Sequence, residues 1–460
     1  MLYSLLALTI TMFFIGFIKR QPPFSPVRMF LYGWLLVYFF AALGMVIYDL
    51  PLSAVTWGML ALTQTLFVLG AFLGNGALTH LCAQPPKLVR GQLDRASLLL
   101  LVLLALAAML MIARDVLFGA GNFLLDDFAA GLGEIRNRNW DDFFSGEVGV
   151  SPLRSLFVAS TLILAAMLPY AWRKHNIFLI SVGFMSALLL IVDSLLAAGR
   201  FNIGILFLTL IVSASGAHGH AGLLRSLGVR KMTIGVVLGF YFFVIFPVQR
   251  NPYLADAVET SLQRGGDAYL STWVVNASAA PGLSWVSVLA YSTSYFSGAI
   301  DKLNYFLTKT DIADWYGLGL YNFVLASQIY GLVSDEVSPW HSMRLRIADI
   351  MYREGWGLNP WATGVRDLVI DFGLVGSLAV VCLLGYLSQK LYRESFVNNG
   401  YVLKVAASLV SVGAFVFAFI GPFQIRLIVN SLLLLGLIAI IRQVILQAGG
   451  LSVRQWREKF

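Results

Sequence analysis

Long apolar runs alternate with short polar connections along nearly the whole chain. Leu98–Ile112 and Val405–Gln424, for example, contain no charged residue. About 20 apolar residues cross a bilayer as a helix, because a helix satisfies its backbone hydrogen bonds internally. The pattern therefore predicts an all-α, polytopic membrane protein with about eleven transmembrane helices. The predicted spans lie near residues 1–18, 29–48, 54–79, 97–117, 153–172, 177–197, 202–215, 232–247, 367–388, 402–421 and 427–441.

Two connections are too long to be simple turns. Residues 118–152 mix acidic and basic side chains, and residues 248–366 include apolar stretches at 283–300 and 317–333 that suit short interfacial or re-entrant helices. Loops of this length in a compact protein are usually functional. The predicted divisions are spans 1–8 over 1–247 with outer loop 118–152, a large periplasmic loop over 248–366, spans 9–11 over 367–441, and a cytoplasmic basic tail over 442–460.

The charged residues support this class and give an orientation. They make up 12% of the chain, against about 25% in soluble domains. The net charge of +8 does not indicate nucleic acid, because the basic residues are spread between apolar runs. If the N-terminus is outside, cytoplasmic connections hold more than half of the 32 lysines and arginines, whereas the short outer turns hold Arg200 and Arg426. The positive-inside rule then predicts that this inner-membrane protein has a periplasmic N-terminus and a cytoplasmic C-terminus.

Two arginines lie where predicted spans reach the outer surface. Arg200 is in a turn between spans that is too short to leave the membrane surface, and Arg250 lies where the eighth span enters the large loop. A planar, permanently charged guanidinium at this depth suits a phosphate group. The alternatives are a snorkelling Arg200 that pairs with Asp193 or lipid phosphate, and an Arg250 that serves as an anchor.

The large loop offers further candidates. Arg344 and His341 are three residues apart and share a face if this segment is helical, with Arg346 nearby. His341 is the candidate acid or base of this group, although structural or surface histidines are commoner. Arg264 precedes two glycines and is a weaker candidate for phosphate binding.

The start of the ninth span carries two carboxylates. Asp367 and Asp371 are four residues apart on one helix face, next to Arg366, and Asp371 lies about one turn inside the membrane. A carboxylate there is costly unless it is paired or faces a wet cavity. These carboxylates are candidates for a functional role. The alternative roles are helix capping and an internal ion pair.

Other features predict packing. Gly70 and Gly74 form a GxxxG pattern that predicts close helix contact. Cys82 and Cys382 offer neither a disulfide framework nor metal-ligand spacing, so we expect no metal site.

The block Asn359–Gly376, with an Asn-Pro-x-x-Thr start and an Asp-Phe-Gly-x-x-Gly end, resembles a signature of the Wzy-type oligosaccharide repeat unit polymerases. The Gly-Arg-x-Asn turn at Gly199–Asn202 and the exit of Arg250 into a long outer loop are similar to the same family. The family turn is often Gly-Gly-Arg, where this chain has Ala198-Gly199-Arg200.

The resemblance implies a glycosyltransferase that joins undecaprenyl-pyrophosphate-linked oligosaccharide units into O-antigen, capsule or exopolysaccharide on the periplasmic face. It implies that the protein needs no cofactor. The partners that it implies are a chain-length regulator, a flippase and membrane lipids. The implied pyrophosphate-binding residues are Arg200, Arg250, Arg264, Arg344, Arg346 and Arg366, and the implied proton acceptors or orienting groups are Asp371, His341 and Asp367. The alternatives are an O-antigen ligase that uses lipid A core as acceptor, a flippase or other transporter, and a dolichol-type mannosyltransferase. The last usually carries an acidic pair in its first outer loop, which here is short.

Overall fold

The structure is a computed structural model. It describes residues 2–18, 21–48, 51–75, 95–115, 152–196, 201–219, 268–309, 363–397, 401–420 and 425–448, together with the single residues 258, 262 and 342. Within these ranges the chain forms twelve helices and two short strands. They are α1 (Leu2–Phe17), α2 (Pro26–Leu43), β1 (Val46–Tyr48), α3 (Ala54–Gly74), α4 (Arg95–Asp115), α5 (Pro152–Arg173), α6 (Ile177–Leu196), α7 (Phe201–His218), β2 (Ala268–Leu270), α8 (Thr272–Ser278), α9 (Trp285–Lys309), α10 (Gly364–Val397), α11 (Tyr401–Val416) and α12 (Arg426–Ala448).

The described helices are those of a polytopic membrane protein. Seven of them, α2 to α7 and α10, are long and apolar enough to cross a bilayer, and α1, α11 and α12 are shorter apolar helices. Each of these ten coincides with a predicted span. The predicted span 232–247 and the tail 449–460 lie outside the described residues, so the total of eleven stays a prediction.

The helix that forms the second predicted span ends before the apolar run does. α2 ends at Leu43 because Gly44 adopts a left-handed conformation with φ of 58°, which commonly terminates a helix. Val46–Tyr48 then form β1, which pairs antiparallel with β2, so that Ile47 lies opposite Tyr269. This two-stranded sheet is an addition to the predicted all-α fold.

Several helices begin or end beside the two-stranded sheet, at one end of the bundle. α2 ends and α3 begins beside β1, and α9 packs across both helices. Hydrogen bonds join further helix ends here: Arg154 at the start of α5 bonds Asp193 near the end of α6, and the Gly364 amide at the start of α10 donates to the Phe417 carbonyl after α11. We call this the sheet end.

The other ends of the same helices meet at the opposite side. Arg28 near the start of α2 donates to the Ile18 carbonyl after α1, and Arg393 in the last turns of α10 donates to the Asn75 carbonyl after α3. Basic residues dominate this side, so we call it the basic end. They are Arg28, Arg173, Lys174, Lys390, Arg393 and Lys404.

α3 and α10 make the most extensive described helix contact. A Cβ atom on Gly70 would collide with the Cys382 carbonyl, and one on Gly385 would collide with the Phe67 carbonyl. The backbones can approach this closely because glycine lacks a side chain. The close packing predicted from Gly70 and Gly74 is confirmed.

α9 covers the sheet end. It lies in the predicted large loop, where the stretch 283–300 is helical as expected but belongs to a helix of 25 residues and not to a short one; the stretch 317–333 lies outside the described residues. The first turns of α9 pack with the sheet and α8 in a small hydrophobic core separate from the main one, which includes Met45, Val274 and Val288. The Tyr48 and Ser297 hydroxyls are 2.9 Å apart and tie β1 to the middle of α9.

Candidate functional site

The first part of α10 is enclosed by protein. Every residue from Thr363 to Asp371 is buried. The helix then breaks at Gly373, whose φ of 66° and ψ of −178° are readily reached by glycine alone. Beyond the break Val375 is 83% exposed. The Asp-Phe-Gly sequence thus marks the point where a short internal helix joins a longer one, which packs one face against α3 and exposes the other.

Arg366 and Asp367 form a buried ion pair in this internal helix. The Asp367 Oδ1 atom accepts hydrogen bonds from Nε of Arg366 at 3.0 Å and from Nη2 at 2.7 Å. Their side chains are 5% and 0% exposed. A guanidinium has five N–H donors, and two of them are held in this arrangement, which fixes the plane of the cation.

Asp371 lies one turn further along the same helix and is 1% exposed. It precedes the break at Gly373 by two residues. The structure therefore places this carboxylate within the protein, where a charged group is costly unless it is paired or faces a wet cavity. Asp367 and Asp371 share a face of the internal helix, as the spacing predicts.

α9 contributes charged residues that sequence analysis missed. Asp301 and Lys302 are 4% and 8% exposed, although they lie in the predicted large periplasmic loop. Burial lowers the pKa of Lys302 to about 7, and the positive charge of Arg366 adds to this effect while Asp301 opposes it. Because α9 also packs against α10, Lys302 and Arg366 are assigned to the same charged cluster. The sequence signal that could have revealed them is the pair of adjacent charges itself, because the rest of α9 carries no charge before Lys309.

Asn304 fixes α9 in this position. Its side chain is fully buried, and its Oδ1 atom accepts from the Ser53 amide at 2.9 Å and from the Thr56 hydroxyl at 2.7 Å. Its Nδ2 atom donates to the Pro51 carbonyl at 3.1 Å. Three hydrogen bonds thus hold the charged turn of α9 against the connection between α2 and α3.

A second ion pair at the sheet end is more exposed. Arg154 and Asp193 are 2.9 Å apart, with side chains 29% and 10% exposed. Asp193, the alternative partner that the sequence offers for Arg200, is bound by Arg154. Arg200 lies outside the described residues, as do five other predicted site residues: Arg250, Arg264, His341, Arg344 and Arg346.

The described charged cluster consists of Arg366, Asp367, Asp371, Asp301 and Lys302. It combines cations and carboxylates where little water reaches, so each charge acts more strongly than it would in solvent. Such a cluster can stabilise a developing negative charge and accept a proton. Comparison of the chain with protein-family models, curated proteins and solved structures gives no match.

Proposed function

We propose that this chain polymerises undecaprenyl-pyrophosphate-linked oligosaccharide repeat units into a surface polysaccharide on the periplasmic face of the inner membrane. The single observation that carries the proposal is the buried charged cluster formed by α9 and the start of α10, because its α10 residues lie in the block whose sequence resembles the Wzy-type polymerases. The predicted orientation puts the sheet end, and with it the cluster, on the periplasmic side.

The reaction requires two kinds of group. A hydroxyl of the acceptor unit attacks the anomeric carbon of the donor, a new glycosidic C–O bond forms, and the C–O bond to lipid pyrophosphate breaks. The leaving group takes the bonding electron pair, so cations must stabilise its growing negative charge. The attacking hydroxyl loses its proton, which a carboxylate can accept.

The described residues supply both kinds. The cations available for the pyrophosphate are Arg366 and Lys302. Asp367 fixes the plane of the Arg366 guanidinium group. Asp371 is the proton acceptor or the group that orients one. Arg200 and Arg250 would extend the phosphate site, and His341 is the alternative acceptor.

A purely structural role would favour different residues. Burying charges costs several kcal/mol per ion, and apolar side chains of similar volume often replace a buried ion pair without loss of stability. Five buried ionisable side chains in one place are therefore better explained by chemistry than by packing.

Deletion of the gene in the native host, followed by a gel of the surface polysaccharide, tests the proposal. Loss of a polymerase leaves lipid A core capped with one repeat unit, or abolishes a capsule ladder. Loss of a ligase leaves no repeat attached, and loss of a flippase stops export of the unit. A normal ladder in the deletion strain would contradict the proposal.

A further inference from the structure

A small cavity lies at the basic end, between α5, α7, α10 and α11. Each of the four helices contributes at least one hydroxyl group to the lining, and one lysine contributes an ammonium group. The polar residues are Tyr170, Ser215, Tyr392, Ser395, Lys404 and Ser408. Phe24 and Phe396 form part of an apolar wall, and Phe396 is 37% exposed at its edge. The cavity therefore combines hydrogen-bond donors with an apolar margin.

Lys404 is the unusual member of this lining. It is 7% exposed, and its Nζ atom lies 5.9 Å from the centre of the Tyr170 ring. Within the described part of the chain its ammonium group forms no ion pair, and none of the described lining residues is acidic. A ring face compensates only partly for the lost hydration of an ammonium ion.

Two further cations lie near Lys404 without lining the cavity. Arg173 and Lys174 repel the charge of Lys404. Lys174 Nζ lies 5.1 Å from the centre of the Tyr401 ring, and Tyr401 packs edge-on against Tyr170 at 5.7 Å. Arg173 donates to the Ala217 carbonyl, one residue from the lining Gly216. Lys404 in the cavity is thus repelled by two nearby cations, and an anion bound beside Lys404 would relieve this repulsion.

We propose that this cavity binds a phosphate group, either that of an anionic lipid headgroup or free phosphate. Phosphate oxygens are strong acceptors for ammonium and hydroxyl donors. Basic pockets between membrane helices on the cytoplasmic side bind anionic headgroups, and the exposed edge of Phe396 gives an acyl chain a route out of the cavity. The cavity is at the end opposite the charged cluster, so this site stands or falls independently of the proposed polymerase activity.

The test uses the full-length chain purified in detergent. Binding of phosphatidylglycerol, of phosphatidylcholine and of inorganic phosphate is measured by native mass spectrometry and by the shift in melting temperature. We expect wild type to prefer phosphatidylglycerol to phosphatidylcholine. If inorganic phosphate alone gives the same shift and displaces the lipid, the ligand is free phosphate; if it does neither, the ligand is the headgroup.

Lys404→Gln is expected to lower the affinity for the preferred phosphate ligand about fivefold. Lys390→Gln is the matched control, because Lys390 also stacks on a tyrosine at the basic end, at 5.6 Å from the Tyr386 ring, but is exposed and does not line the cavity. It should bind as wild type does. If Lys404→Gln fails to accumulate, the exposed Lys174→Gln should still lower the affinity measurably. No preference in wild type, or an unchanged affinity in the variant that folds, would overturn the proposal.

Discussion

The two ends of the bundle handle buried charge in opposite ways. At the sheet end Arg366 is paired with Asp367, and Asp301 and Lys302 lie beside them. At the basic end Lys404 rests on the ring of Tyr170 among other cations. Among the described residues of the basic end, Glu394 is acidic. The sheet end thus combines buried charges of both signs, which suits the proposed reaction, whereas the basic end is dominated by positive charge, which suits the proposed phosphate site.

The two ends also differ in how they are covered. α9, β1, β2 and α8 close the sheet end and form a hydrophobic core of their own. A covered site excludes water and strengthens electrostatic interactions inside it. The cover is therefore part of the proposed site.

The largest expected effect concerns the compartment that each end of the bundle faces. A reporter enzyme fused after Lys174, at the basic end, should be found in the cytoplasm. The same reporter inserted at Gly282, between α8 and α9, should be found in the periplasm. Because the structure places these residues at opposite ends, a shared compartment would contradict the bundle, and the two compartments exchanged would remove the proposed periplasmic chemistry.

The next effect separates two ion pairs at the sheet end. Arg366→Met leaves Asp367 buried without its cation, which should cost about 3–5 kcal/mol of stability. Arg154→Met removes a partner from the more exposed pair and should cost about 0–1 kcal/mol. Thermal or denaturant unfolding in detergent measures both. Equal losses would mean that burial does not distinguish the pairs.

The smallest of the three effects concerns the cover. Asn304→Ala removes three hydrogen bonds between α9 and the α2–α3 connection, at about 1 kcal/mol for each. We expect a lower melting temperature and faster proteolysis between α8 and α9. Asn276→Ala is the control, since Asn276 is an exposed residue of α8, and it should change stability by less than about 0.5 kcal/mol. Equal proteolysis of both variants would show that Asn304 does not hold the cover.

Apolar runs predicted the spans well because each helix must cross the same hydrocarbon thickness. The strand at Val46–Tyr48 could not be predicted, because its apolar residues continue those of α2 and its partner lies over 200 residues away. Asp367 and Asp371 were found from their spacing at a span entrance. Asp301 and Lys302 were missed because their burial depends on how α9 packs, which no local pattern contains. The Asp-Phe-Gly sequence was noticed, but the helix break at Gly373 is visible only in the backbone.

The central claim is that the buried cluster carries out glycan polymerisation, and Asp371 tests it most directly. Asp371→Asn keeps the shape of the side chain and removes its charge. The measurement is turnover per folded molecule with purified protein and lipid-linked repeat units at several pH values, with folded protein quantified by its unfolding curve. The account predicts a fall in turnover of about 100-fold or more, as expected for loss of a general base. Unchanged turnover per folded molecule would contradict it.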